Sequence, residues 1–170
     1  GVSVYLVDRT IPMLPEVLSN DICSLNPKED KLTFSAVLTM TTNGDIKNIW
    51  LGRTVINSDK RFTYEEAQKV LDENKGEYFE ELNHLNKIAK IFKGKRMAMG
   101  AMDFEKEEVK FKLDAKGKPI DIIEKPRLAA HKLVEEFMIL ANKKVAAYLS
   151  AEIKKIAKGA AIYRVHDVPK

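Results

Sequence analysis

The chain has few of the residues that build covalent cross-links, and no long apolar run. Among its 170 residues Cys23 is the only cysteine, which excludes an internal disulfide and a thiolate zinc site. No apolar run approaches the roughly 20 residues that a membrane-spanning helix needs. The opening residues also lack the pattern of a signal peptide. These absences predict a reducing, cytoplasmic location and no membrane partner.

Charge of one sign is not in large excess either. The chain has 29 basic and 25 acidic side chains, a net charge of +4, and 45% hydrophobic residues. This balance is typical of one soluble globular domain, and it permits an anionic partner without requiring one. Basic side chains cluster at residues 90–96 and 154–158. They could bind phosphates, or they could simply be solvated near the negative ends of helices.

Alternating apolar residues predict two β-hairpins. Residues 32–40 place Leu32, Phe34 and Met40 on one face, which is the pattern of a half-buried strand. Asn43-Gly44 then supplies a tight turn before a partner strand that ends near residue 56. A second hairpin is predicted over residues 107–124. The fold class is therefore mixed α/β (α+β), with hairpins 32–56 and 107–124 in a partly antiparallel sheet.

Helical patterns occupy most of the remaining chain. Thr63 and Glu66 have the spacing of a capping box, which predicts a helix from there to about Glu73. Longer helices are predicted over residues 77–93 and 127–150. A basic helical piece over 152–158 and a short strand over 161–165 complete the chain. Three or four helices should therefore pack against the sheet.

The segment Ser3–Pro27 is the most unusual part of the sequence. Pro12 and Pro15 make it too irregular for a helix, because each removes a backbone donor and favours extended geometry in its neighbour. Its many apolar side chains should need cover from the rest of the fold. An ordered segment of this kind inside a compact domain is usually functional.

The same segment resembles a known family. It reads Ser3-Val-Tyr-Leu, then Ile11-Pro-Met-Leu-Pro, then Cys23-Ser-Leu, which is similar to the signature of the catalytic domain of the ribonuclease II and ribonuclease R exoribonucleases. The likeness continues through four later blocks. These are residues 58–64, 100–104, 134–142 and 163–166. Five ordered blocks over most of the chain make the resemblance specific.

The resemblance implies an enzyme that acts on RNA. Members of this family hydrolyse single-stranded RNA from its 3′ end to nucleoside 5′-monophosphates, with Mg²⁺ as cofactor, and DNA is not expected as a partner. The family's metal-binding aspartates and its Ser-Pro-x-Arg-Arg-Tyr block have no match in residues 1–170. The chain is therefore expected to be one fragment of the catalytic domain, truncated at both ends. Alone it should be inactive, with no catalytic residue and no metal ligand.

The resemblance also implies roles for specific residues. Tyr5 and Phe104 match aromatics that clamp the stacked terminal bases. Tyr64 matches a tyrosine that contacts the leaving end through its hydroxyl. Glu135 matches a carboxylate that accepts hydrogen bonds near the RNA 3′ end, where a ribose 2′-hydroxyl is a suitable donor. Weaker candidates for RNA binding are Arg96, Arg164 and His166.

The residues alone leave other interpretations open. Each aromatic could be an ordinary packing residue, and Glu135 could face solvent or pair with a lysine. His131, Glu135 and Asn142 share one helix face at about 100° per residue, whereas Glu136 is expected at the surface or behind the site. A non-catalytic RNA-binding module or pseudo-enzyme of the same fold is a second hypothesis. A protein-interaction domain without an RNA role is a third.

Overall fold

The computed structural model describes residues 3–101, 108–156 and 159–163. Within these ranges three antiparallel hairpins and three α-helices form a mixed α/β fold, which confirms the predicted class. The elements are β1 (Ser3–Tyr5), β2 (Thr10–Pro12), a short π-helix (Val17–Ile22), β3 (Asp30–Met40), β4 (Ile46–Asn57), α1 (Tyr64–Glu73), α2 (Phe79–Ala98), β5 (Glu108–Leu113), β6 (Pro119–Lys125) and α3 (Ala129–Ile153). No helix in the described ranges is both long and apolar enough to cross a membrane.

The N-terminal segment is partly helical, which the sequence did not predict. After the β1–β2 ribbon, the carbonyl of Pro15 accepts hydrogen bonds from the amides of Leu18 and Ser19 at 2.9 and 3.0 Å. Pro15 precedes the π-helix, where its missing amide hydrogen costs no helical bond. The expected cover is also absent in the described structure. Most of the apolar side chains are exposed: Val4, Leu6, Ile11, Met13, Leu14, Val17, Ile22 and Leu25.

The β3–β4 hairpin forms as predicted, but its apolar face is only partly buried. Leu32 is 87% exposed and Phe34 is 66% exposed, so the half-buried face was wrong at this end. The reason is that the hairpin docks through its turn. A Cβ at Gly44, where φ is +78°, would lie 2.8 Å from the Phe92 ring of α2. The turn end of the hairpin therefore packs against α2.

Helix α1 begins where its capping box predicts. The amide of Glu66 donates to the Thr63 hydroxyl at 3.1 Å, and the Glu66 carboxylate accepts from the Thr63 amide at 2.8 Å. Two unpaired amides of the first turn are thereby satisfied. The hydrogen bond from the Thr63 amide, followed by one from the Thr63 side chain, lowers the pKa of the Glu66 carboxyl below its ordinary value. Tyr64 follows the cap directly, so its backbone position is fixed.

The later elements differ from prediction mainly at their ends. Helix α2 continues to Ala98 rather than ending near residue 93, and α3 continues to Ile153 rather than ending near residue 150. Gly94 does not end α2, although glycine costs a helix about 1 kcal/mol, because Phe92 and Arg96 on either side contact α3.

The second predicted hairpin is confirmed by the pairing of β5 with β6. The separate helix over 152–158 was wrong in its described part, where hydrogen-bonded turns follow the end of α3. Residues 161–163 form no strand, and residues 157–158 and 164–165 lie outside the described ranges.

The three α-helices pack together through small residues. The most buried apolar side chains are Ala67 of α1, Ala89 of α2, and Ala130 and Leu133 of α3. Alanine lets helix backbones approach closely, and the Phe92 and Phe137 rings fill the space beside them with an edge-to-face contact at 5.9 Å. This small core fixes α3 against the start of α1.

Candidate functional site

The start of α1 meets the first turn of α3 through two rings. The Tyr64 ring stacks on the His131 imidazole, with centroids 3.9 Å apart and planes 15° from parallel. Gln68, one turn after Tyr64, accepts a hydrogen bond from the Ala130 amide at 3.1 Å. The two helix ends are thus joined by a ring stack and a hydrogen bond. Tyr64 nevertheless stays 41% exposed, so a ligand can reach it.

His131 also closes the N-terminal end of α3. The amide of Leu128 donates to His131 Nδ1 at 3.2 Å. Because Nδ1 accepts this hydrogen bond, we assign the proton of the neutral imidazole to Nε2. His131 therefore satisfies one of the unpaired amides of the first helical turn while presenting its ring to Tyr64.

Glu135 follows His131 by one turn on the same face of α3. Its Oε2 accepts a hydrogen bond from Arg127, so its partner is an arginine rather than the lysine considered above. Its Oε1 lies 3.9 Å from Arg96 Nη2, which is within reach of an ionic attraction but too far for a hydrogen bond. Each carboxylate oxygen has two acceptor positions. Oε1 therefore keeps capacity for a hydroxyl donor.

Glu136 takes the second of its two expected positions, behind the site rather than at the surface. Its side chain is only 4% exposed and accepts a hydrogen bond from Arg96 at 2.5 Å. Successive residues of a helix point about 100° apart. This rotation turns Glu136 toward α2 while Glu135 stays at the edge. Arg96, a weaker RNA-binding candidate, therefore links α2 to α3.

The remaining RNA-binding candidates are Tyr5, Phe104, Arg164 and His166, and of these the structure describes Tyr5. Tyr5 ends β1 and is 79% exposed, and in the described part of the chain no ring contact or hydrogen bond links it to Tyr64 or Glu135. Phe104, Arg164 and His166 lie outside the described ranges. The structure thus brings Tyr64 and Glu135 to one face of α3 through His131, and leaves Tyr5 apart.

Sequence reasoning missed His131 and Arg127 as parts of this cluster. His131 was placed on the face of Glu135, but its stack with Tyr64 joins residues far apart in sequence. Arg127 precedes α3 and reaches Glu135 eight residues later. The only available signal was that His131 and Glu135 are four residues apart on a helix.

An apolar hollow lies beside the Tyr64 ring. It has a volume of about 320 Å³ and lies between the three α-helices. Ala67, Leu71, Leu82 and Val134 contribute to its wall. Apolar walls with a few polar groups at the rim are the usual lining of a small-ligand pocket.

The described residues do not form a metal centre. Within residues 3–101, 108–156 and 159–163, no group of three or more histidine, cysteine or acidic side chains could hold an ion. Magnesium prefers oxygen ligands in a near-octahedral arrangement, commonly carboxylates and water. The cluster around Glu135 has two arginines instead, so it suits an anionic or hydroxyl-bearing ligand better than a cation.

Comparison with known proteins gives the family. The family model described as the RNB domain matches residues 1–170. Ribonuclease R of Vibrio cholerae is 40% identical over 175 residues, which are 99% of this chain and 21% of that protein. The chain thus spans about a fifth of the length of this curated relative.

Solved structures have the same fold. Mycoplasma genitalium RNase R in complex with ribose-methylated single-stranded RNA superposes with a TM-score of 0.81 at 28% identity, covering 89% of this chain and 24% of that one. Yeast Ssd1, a pseudonuclease, has a TM-score of 0.66 at 19% identity over 92% of this chain and 19% of its own, which supports the fold alone. By sequence and by fold, the chain belongs to the RNB domain family of ribonuclease II and ribonuclease R exoribonucleases.

Proposed function

We propose that this chain is part of a 3′→5′ exoribonuclease, called the parent protein below, and that it holds the 3′ end of single-stranded RNA. The observation that carries the proposal is the cluster of Tyr64, His131 and Glu135 on one edge of α3. The cluster supplies a partly exposed ring and a carboxylate with spare acceptor capacity. The RNA in the solved complex of the Mycoplasma relative supports an RNA ligand here.

Glu135 would select RNA by accepting a hydrogen bond from a ribose 2′-hydroxyl. Its side chain is 29% exposed, so it is reachable from solvent yet partly shielded. Arg127 holds Oε2, which orients the carboxylate and leaves Oε1 for the hydroxyl. DNA has no 2′-hydroxyl and would lose this bond. A hydrogen bond to a charged group contributes about 1.5–3 kcal/mol.

Tyr64 would contact the leaving end, with its ring held by His131. Tyr5 and Phe104 would stack on terminal bases, which tolerates any base at about 1–3 kcal/mol each. These roles follow from the family resemblance and remain predictions for this chain. Stacking without base reading suits an enzyme that degrades RNA of any sequence.

Hydrolysis requires groups beyond the described cluster. In the parent protein, Mg²⁺ would stabilise the attacking water and the leaving oxygen of the phosphodiester. The chain's own residues would bind, orient and shield the RNA terminus while nucleoside 5′-monophosphates are released. A cytoplasmic location, as the single cysteine favours, stays a prediction.

The experiment that tests the proposal follows RNA degradation by the parent protein. Single-stranded RNA labelled at its 5′ end is incubated with the parent protein and Mg²⁺, and the products are resolved over time. We expect progressive shortening from the 3′ end and release of nucleoside 5′-monophosphates. Internal cuts, release from the 5′ end, or intact RNA would contradict the proposal.

A second candidate function is an RNA-binding module without hydrolysis. Yeast Ssd1 supports this alternative, because it has the same fold and is described as a pseudonuclease. The same experiment separates the two functions. Intact RNA that is still bound by the parent protein would favour the binding module.

A further inference from the structure

We propose that Trp50, on the β3–β4 hairpin, is a stacking platform for a base of single-stranded RNA. The Trp50 platform consists of the Trp50 ring, Gly52 beneath it, and the neighbouring hydroxyl groups of Thr33, Ser35 and Thr54. It shares no residue with the Tyr64–Glu135 cluster. This role rests on the proposed RNA-binding function and adds a second RNA contact to it.

The two faces of the β3–β4 hairpin differ in character. Side chains alternate between the faces of a strand, and directly paired residues share a face. One face is mostly apolar and includes Leu32, Phe34, Leu51 and Val55. The other face is mostly polar and includes Thr33, Ser35, Thr39, Asn48 and Thr54. Trp50 lies on this polar face, opposite Val37. Because a core covers the apolar face of a hairpin, core packing accounts for Phe34 but not for Trp50.

Gly52 makes room for the Trp50 ring. A Cβ at Gly52 would lie 2.5 Å from Cζ2 and 2.6 Å from Cη2 of Trp50, so the ring occupies the space of the missing side chain. Glycine weakens a strand interior and often marks a position that another group approaches closely. The φ angle of Gly52 is outside the left-handed region, so no turn requires glycine here. The close approach of the ring therefore explains this glycine.

The Trp50 ring extends along the strand and stays accessible. Trp50 and Gly52 are two residues apart on one face, and the ring spans this distance. The side chain is 49% exposed, as expected for a ring with one side on the backbone and the other toward solvent. Tryptophan is highly buried on average, so this exposure is high. An accessible ring of this kind can stack on any base.

Three hydroxyl groups lie beside the ring. Ser35 is the cross-strand partner of Gly52, which places its side chain next to the ring. Thr54 Oγ1 is 2.6 Å from both Thr33 Oγ1 and Ser35 Oγ, and the latter two are 3.2 Å apart. Each hydroxyl has one donor and two acceptor positions. A closed triangle of hydrogen bonds uses three donors and three acceptors, which leaves three acceptor positions for a ligand.

This chemistry favours a base over a charged ligand. The polar face has no charged side chain from Thr33 to Thr39 or from Asn48 to Thr54, so a phosphate would find no cation there. A base has a flat face for the ring and N–H donors on its edge for the hydroxyl groups. In single-stranded RNA the bases are free to leave their own stack and make both contacts.

Tryptophan fluorescence tests the platform directly, because Trp50 is the only tryptophan of the chain. Single-stranded RNA is titrated into the 170-residue chain while the Trp50 emission is recorded. The anisotropy of a dye-labelled copy of the same RNA gives the binding curve independently. We expect the emission to be quenched along that curve, because a stacked base contacts the ring.

Variants of the parent protein measure what the stack contributes. Trp50→Ala should bind single-stranded RNA about 5- to 140-fold more weakly, as the loss of one stacked base predicts. Trp50→Phe keeps an aromatic ring and should recover most of this affinity. Gly52→Ala keeps Trp50 but displaces its ring, so it should also bind RNA more weakly. Phe34→Ala is the matched control and should leave the affinity unchanged, because Phe34 is an exposed ring on the opposite face of the same hairpin.

Four results would overturn the platform. RNA that binds the chain without changing the Trp50 emission would refute it and leave the 3′-end site intact. Unchanged RNA affinity of the parent protein in Trp50→Ala would refute it in favour of a Trp50 that contacts protein. An equal loss in Phe34→Ala would indicate a general effect of the hairpin. No RNA binding by the wild-type chain would also refute the platform, whereas the proposed function fails only if the parent protein does not shorten RNA from its 3′ end.

Discussion

Glu135 and Glu136 are adjacent on α3, yet Glu136 is 4% exposed and bonded to Arg96, whereas Glu135 remains 29% exposed beside Arg127. One residue of helical rotation thus separates a carboxylate that holds two helices together from one that can meet a ligand. The two can be tested independently, because the first should affect folding and the second should affect RNA binding.

The buried ion pair should be important for stability. Arg96→Met leaves Glu136 buried without its partner, and breaking a buried pair from one side costs about 3–5 kcal/mol. Urea unfolding should show this loss in the free energy of unfolding. Glu136→Gln keeps a hydrogen-bond acceptor for Arg96, so its free energy of unfolding should fall by less than that of Arg96→Met.

Lys69→Met is the control, because it breaks an exposed pair with Glu73 within α1. Its free energy of unfolding should fall by no more than about 0.5 kcal/mol. Equal losses in all three variants would contradict the assigned role of Arg96.

The capping box makes the stability of α1 depend on pH. The folded-state pKa of Glu66 is lowered from its ordinary value of 4.5, chiefly by the hydrogen bond from the Thr63 amide. A lowered carboxyl pKa stabilises the fold fully above the unfolded-state pKa, and this contribution is lost as pH falls through the folded-state value. The stability difference between the wild type and Glu66→Gln should therefore be constant near neutrality and shrink below about pH 4.5. Unfolding curves at several pH values measure it. A difference that grows on acidification would contradict the assignment.

The His131 ring should position Tyr64. His131→Ala removes the stack, and aromatic pairs contribute about 0.5–1.5 kcal/mol, so the parent protein should bind RNA up to about tenfold more weakly. His131→Phe keeps a flat ring and should recover most of this affinity, although it lacks the acceptor for the Leu128 amide. His84→Ala, at an exposed position of α2, is the matched control. If the phenylalanine variant binds RNA as weakly as the alanine variant at equal folded fraction, the ring stack is not what positions Tyr64.

Local sequence signals predicted most of the fold. The capping box placed the start of α1, and alternation placed both long hairpins, because these patterns act through neighbouring residues. The exposure of Leu32 could not be predicted, since it depends on the hairpin docking through Gly44 against α2. The alternation of apolar and polar residues along a strand predicts which face of the strand is apolar, but it does not predict which element covers that face.

The candidate site was only partly predictable, for the same reason. Glu135 and Tyr64 were identified through family resemblance, whereas their connection through His131 depends on how α1 packs against α3. The burial of Glu136 also depends on helix rotation and on Arg96, which is 40 residues away. Contacts between distant residues of this kind leave no periodic pattern in the sequence.

The 170-residue chain should not degrade RNA by itself. The proposed function assigns Mg²⁺ the stabilisation of the attacking water and the leaving oxygen. No group of three or more histidine, cysteine or acidic side chains that could hold an ion occurs in residues 3–101, 108–156 and 159–163. Incubation of the chain with unstructured RNA and Mg²⁺ should release no mononucleotides, while the parent protein under the same conditions should release them. Steady release by the chain alone would refute this prediction.

The central claim is that Glu135 recognises the ribose at the RNA 3′ end. Its most direct measurement compares the affinity of the parent protein for an RNA with that for the same RNA bearing 2′-deoxy residues at its 3′ end. The wild type should prefer the ribose end by about tenfold or more, as a hydrogen bond to a charged group predicts. Glu135→Ala should bind the two RNAs equally. An equal preference in the wild type and in Glu135→Ala, or no preference in the wild type, would contradict the account.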